Sequence, residues 1–255
     1  MFKMKMIKKA CLFVMLVTIS IAVAASADTA VFRNGTNGYQ GTNDNTLDDY
    51  WSLTGYNAGA FTELGVYQSY AERVNTILKF DGLVLPAGSI VTGASISLAK
   101  RGGSGGAFNI DVLQISNDNA NWVEGTGVWV PALDGESSWD YMASPTLWTG
   151  DGGASGGATT IYTLAVDSAQ EDYTLYNIVL PNALAQQWVS GGVNAGLLLR
   201  VDPAAEETKN IHFVSSELGP EGWEYKPTLT ISYDIPEPAT LCLLGLGGLL
   251  IRRKK

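Results

Sequence analysis

Between residues 28 and 234 this 255-residue chain has no cysteine, a single histidine and only eight basic side chains. Cys11 and Cys242 both lie near the ends, so the middle cannot be held by disulfides and must rely on its apolar core. The sequence also lacks a Gly-x-Ser-x-Gly elbow, a metalloprotease helix and a phosphate-cradling loop, which leaves a thin catalytic inventory. His212, between Ile211 and Phe213 in a strand-like run, reads as a structural or surface imidazole. Two carboxylates suffice for glycoside hydrolysis, so a polysaccharide-degrading enzyme stays as the less favoured alternative and a non-catalytic protein is the expectation.

Long apolar runs are confined to the two ends. Residues 1–9 carry four lysines and no acid, residues 10–24 are apolar, and Ala25-Ser26-Ala27 offers small side chains at the positions a signal peptidase must accept. The segment 1–27 therefore reads as a signal peptide cleaved before Asp28, with Ala25 and Ala27 as the cleavage determinants. At the other end Pro236-Glu237-Pro238 precedes an apolar run from Leu241 to Ile251 and the cluster Arg252-Arg253-Lys254-Lys255. A basic block behind an apolar helix stays on the cytoplasmic side of a bilayer. At about 1.5 Å per residue the stretch 239–251 spans about 20 Å, short of the roughly 30 Å hydrocarbon core, so it suits transient retention.

The tripeptide Pro236-Glu237-Pro238, the apolar helix and the basic tail of 235–255 resemble the PEP-CTERM sorting signal of Gram-negative bacteria. That resemblance implies export through the inner membrane, transient anchoring by a transmembrane sorting helix, processing by an exosortase-type enzyme near the tripeptide, and delivery to the cell surface or an exopolysaccharide matrix. Without the terminal basic residues and Glu237, twenty-four acids face eight bases, a net charge of −16 over 28–234. Such a polyanion is a poor partner for nucleic acid, and it favours solubility or the binding of divalent cations.

The middle, at roughly two hundred residues, is long enough for one sizeable core and predicts a single domain over 28–234. Apolar residues alternate with polar ones in Ala94-Ser95-Ile96-Ser97-Leu98, Phe108-Asn109-Ile110-Asp111-Val112 and Leu229-Thr230-Ile231-Ser232-Tyr233, the period of a half-buried strand. Further strands are expected over 29–33, 64–69, 75–80, 160–166, 173–179, 196–201 and 210–214. Pro181 to Val189 reads as a short helix, with Leu184 and Trp188 on one face. Glycine tracts at 102–106 and 150–157 mark a hairpin tip and a flexible loop. The stretch from Trp122 to Thr149 is too long and irregular for a simple turn and has the character of a functional loop.

Several segments, in order, resemble the DNRLRE domain, a family of exported β-sandwich modules with some carbohydrate-binding members. They are Arg73 to Asp81, Leu85 to Leu98, the Trp122-Val123-Glu124-Gly125 element, the Asn194-Ala195-Gly196-Leu197 passage and Phe213 to Glu217 followed by Lys226 to Ile231. The resemblance implies an all-β, jelly-roll-like β-sandwich with one short helix. The Asn/Gly/Asp-rich stretch 39–61 departs from the family pattern, which places any inherited ligand site there in doubt.

Two kinds of site follow from residue chemistry. Asp44, Asp48 and Asp49 beside Asn43 and Asn45, and Asp118 between Asn117 and Asn119, put oxygen ligands on loops where a structural calcium could gather them, although such runs are also ordinary turn formers. No cofactor is otherwise required. Trp129, Trp139, Tyr141 and Trp148 crowd the irregular stretch, where exposed rings could pack on sugar faces or else fill the ends of the sandwich. Trp122 and Trp188 are expected in the core. The function read from this is a cell-surface or matrix protein that binds extracellular polysaccharide; the alternative is a structural matrix component without a discrete ligand site.

Overall fold

The computed structural model describes residues 27–150, 153–205 and 207–236. The signal segment with Ala25 and the tail carrying Glu237, Pro238 and the apolar run lie outside the described residues, whereas Ala27 and Pro236 are exposed. Among the described residues no helix is long and apolar enough to cross a membrane.

The strands in chain order are β1 (Asp28–Phe32), β2 (Thr42–Asp48), β3 (Tyr56–Asn57), β4 (Glu63–Gln68), β5 (Arg73–Phe80), β6 (Ile90–Ser104), β7 (Ala107–Gln114) and β8 (Val130–Pro131). They continue with β9 (Tyr141–Ala143), β10 (Thr146–Leu147), β11 (Thr159–Asp167), β12 (Leu175–Val179), β13 (Leu197–Val201), β14 (Lys209–Val214) and β15 (Thr228–Asp234), with the helix α1 (Asn182–Val189) between β12 and β13. Eleven of them form one curled antiparallel sheet in the order β1-β15-β6-β14-β4-β5-β13-β7-β11, with β12 joined to β6 and β2 to β5. β3 with β8, and β9 with β10, make two small ribbons.

β6 produces much of the curl. Its first part pairs with β15 and β12 and its last residues pair with β14, where the register shifts between His212 and Phe213. Near this shift Gly103 lies opposite Ile211, and its φ of +147° and its absent Cβ, which would stand 2.5 Å from the Asn210 carbonyl oxygen, admit only glycine. The tract 102–106 is consequently not a hairpin tip: β6 and β7 do not pair, and β7 lies between β13 and β11.

The main core fills the inside of the curl. It takes the alternate apolar residues of β4, β6, β7, β11 and β14, with Leu184, Ala185 and Trp188 of α1 closing one side. A second cluster, with Leu47, Ile77, Leu113, Trp122, Met142, Trp148 and Leu198, covers the opposite face of β2, β5, β7 and β13. These strands are buried on both sides, which explains the unbroken Leu197-Leu198-Leu199 run. The irregular stretch after Trp122 is thus a folded cover over the sheet.

The largest departure from the sequence reading is β2. Thr42-Asn43-Asp44-Asn45-Thr46-Leu47-Asp48, expected as a ligand-bearing loop, is a strand in register with β5 from Thr42 opposite Phe80 to Asp48 opposite Val74. Six of its seven residues are buried. Apart from the Thr42 hydroxyl, which is buried without a partner, its buried polar side chains are held by hydrogen bonds: the Asn45 amide donates to Ser137 Oγ (2.8 Å), the Asn45 carbonyl accepts from Ala58 N–H (3.1 Å), and Thr46 Oγ1 accepts from Gly65 N–H (3.1 Å).

Candidate functional site

Alternation along β4 and β14 builds a cleft on the face away from the main core. Leu64 and Val66 of β4 and Ile211 and Phe213 of β14 point inward, which turns Glu63, Gly65, Tyr67, Asn210 and His212 the other way. Thr46 and Asp48 of β2, Val74 of β5, Glu72 from the turn before it, Phe61 and Trp129 complete a cavity of ≈ 290 Å³. Gly65 gives it depth, because a Cβ there would already stand 3.2 Å from Val74 and 3.5 Å from Thr46. At one wall the Phe61 and Trp129 rings meet edge to face, with centroids 6.0 Å apart.

Three carboxyl groups and one imidazole line this space. Burial raises the Asp48 carboxyl above the usual carboxylate range, against a 2.8 Å hydrogen bond from Tyr50 N–H, and the neighbouring Asp49 charge raises it further. Glu72 is raised by burial and by the charges of Asp48 and Asp49. His212 is lowered by burial although Glu63 pulls the other way, so it is neutral near pH 7. Its Nδ1 lies 3.6 Å from Glu63 Oε2, beyond hydrogen-bond reach, and both His212 Nδ1 and Asn210 Oδ1 are buried without a partner. Aromatic surface beside such groups can bind a ligand with an apolar face and polar substituents.

A larger, more open groove of ≈ 520 Å³ runs past Tyr39, Gly41, Asp81 and Gly82. It offers one carboxylate, and Asp81 is already held by Lys79 at 3.3 Å and by the Asn43 amide at 3.1 Å.

Of the four aromatic candidates only Trp129 lines the 290 Å³ cleft. Trp139 is half-buried against the second cluster with the Arg73 guanidinium 5.3 Å above its ring. Tyr141 is half-buried in β9. Trp148 is a core residue, buried with its Nε1–H donated to the Ser138 carbonyl at 2.9 Å, and it has no face to offer a ligand.

The four aspartates are likewise dispersed in role. Asp44 is fully buried; its Oδ1 accepts from Ser215 Oγ (2.9 Å), its Oδ2 from Ser216 N–H (2.8 Å), and its own N–H donates to Glu124 Oε1 (3.0 Å). Asp48 belongs to the cleft, Asp49 pairs with Arg73 Nε at 2.6 Å, and Asp118 sits exposed in the 3₁₀ turn 117–119. Among the described residues no three His, Cys, Asp or Glu side chains gather as a metal cluster.

Sequence reasoning missed Phe61, Glu63, Tyr67, Glu72 and Asn210, and gave His212 a bland role. The signal was there in the strands themselves: Glu63-x-Gly65-x-Tyr67 and Asn210-x-His212 alternate with the apolar residues of two runs expected as strands.

The last strand, β15, ends at Asp234 and leads through exposed Ile235 and Pro236 into the C-terminal segment. Residues 234–255 match the PEP-CTERM protein-sorting motif. The PEP-CTERM motif implies processing by an exosortase-type enzyme and sorting to the cell envelope or surface of a Gram-negative bacterium. No curated protein matches the chain. The PEP-CTERM match begins where the β domain ends, so the role of that domain has to be read from its own geometry.

Proposed function

We propose that the β domain, once sorted, binds a short segment of an extracellular polysaccharide in the cleft between β2, β4 and β14, and that it does so without catalysis. The observation that carries this reading is the Phe61–Trp129 ring pair on one wall of a cavity that also holds carboxyls and two buried, unpartnered polar atoms. Rings supply a platform for the apolar face of a sugar, and the acceptors hold its hydroxyls. The cleaved signal peptide, the transient transmembrane helix and the jelly-roll-like module of the DNRLRE resemblance belong to the same proposal.

The test is titration of the exported protein with a panel of neutral, acidic and amino-sugar oligosaccharides, with and without a calcium chelator. Saturable binding to one class, weakened about tenfold or more in Trp129→Ala, is the expected outcome. Uniform absence of binding, together with self-association, would sink the proposal in favour of a structural matrix role.

A further inference from the structure

The cleft has a charge character that the polysaccharide reading does not use. No lysine or arginine lines it, whereas Asp48, Glu63 and Glu72 do. Glu63 has the Arg101 guanidinium within 3.5 Å. Asp48 and Glu72 form no ion pair among the described residues, and Arg73, next to Glu72 in the chain, is paired with Asp49. Of the two atoms left without partners, Asn210 Oδ1 is an acceptor in need of a donor, and His212 Nδ1 lies beside it unpaired. The cleft thus combines negative charge, an unfilled acceptor and aromatic faces, which attract cations through the ring quadrupole.

We infer that the ligand segment carries a free ammonium group: an amino-sugar unit whose nitrogen is not acetylated, seated with the ammonium toward Asp48 and Glu72 and the ring against Trp129. This inference rests on the polysaccharide reading above. An ammonium brings three donors and a charge to a place with acceptors and no cation. An N-acetyl group brings one donor and no charge, and a uronate or sulfate brings a charge that both the cleft and the −16 domain repel.

The deciding experiment is calorimetric titration of the exported protein, in chelator and mildly acidic buffer, with glucosamine oligomers, N-acetylglucosamine oligomers and a uronate oligomer. The glucosamine series should bind about tenfold or more tighter than the acetylated series, the scale of one charge-assisted hydrogen bond. Glu72→Gln, which keeps the shape and removes the carboxylate, should bring the ratio of glucosamine to acetylated binding down to about one; Asp48→Asn serves as the second variant, and thermal melts check that both fold. Equal or tighter binding of the acetylated or uronate oligomers, retention of the preference in Glu72→Gln, or a requirement for calcium would overturn the ammonium assignment and leave the polysaccharide reading standing. If no oligomer of any class binds, both fall.

Discussion

Glu124 and Glu136 belong to the same irregular stretch, yet their surroundings push their proton affinities in opposite directions. Burial, then the nearby Asp44 charge, drives Glu124 up to about 9, and burial drives Asp44 up to about 6 against its serine donors. The folded protein therefore holds these protons more tightly than the unfolded chain. Stability from this pair is full at low pH and is lost as pH rises from about 4.5, the unfolded value, toward 9. The melting temperature should fall over that window, and Glu124→Gln, which keeps an acceptor for Asp44 N–H, should flatten most of the fall; an unchanged slope in thermal melts across pH would refute the assignment. For Glu136, burial works toward a raised value, but Leu133 N–H (2.9 Å), Thr126 N–H (2.8 Å) and Thr126 Oγ (3.0 Å) outweigh it and set the carboxyl below the usual range. Its contribution is present above the unfolded pKa and disappears as pH drops through the folded one. Glu136→Ala leaves those donors unmatched and should cost at least about 2 kcal/mol at neutral pH, measured by urea unfolding.

At the scale of elements, the polar strand β2 is held by the cover it packs beneath. Asn57 Nδ2 donates to the Ser137 carbonyl at 2.9 Å, and Asn57 Oδ1 accepts from Gly127 N–H at 2.8 Å. Gly125, at φ +88°, has to be glycine because a Cβ would stand 2.4 Å from the Asn57 amide. Trp122 seals the same corner, with its Nε1–H on the Ala195 carbonyl at 2.8 Å and Lys79 Nζ 4.7 Å from its ring centre. Asn45→Ala should therefore destabilise by about 2–4 kcal/mol, since it orphans the buried Ala58 N–H and removes the donor to Ser137. Trp148→Ala, by emptying the second cluster, should cost about 3–5 kcal/mol. Chemical denaturation of the two variants checks both numbers; a loss of glycan binding in Trp148→Ala without loss of stability would return that ring to the ligand site.

For the whole molecule, the sorting tail and the β domain are separable in role. Truncation before Asp234 would damage β15, which pairs with both β1 and β6, so the informative deletion begins at Glu237. That deletion should leave the domain folded and its ligand binding intact while abolishing surface retention, as read by fractionating cells into envelope and medium. Retention of the truncated protein at the surface would show that the domain itself, through its ligand, supplies the attachment.

The sequence by itself determined the sorting logic, the all-β character, the short helix and the burial of Trp122 and Trp188. Those properties depend on local composition and on periods of two or 3.6 residues, and a run such as Ile211-His212-Phe213 carries its period in plain view. Only the tertiary structure decided that Thr42 to Asp48 is a buried strand, that Trp148 is core while Trp129 lines a cleft, and that Asp48, Glu72 and His212 share one cavity. A polar strand has no apolar alternation to reveal it. Its stability comes from donors on residues 58, 65, 215 and 216 and from acceptors on residue 137, which are distant in the chain and reach it only when the sheet curls.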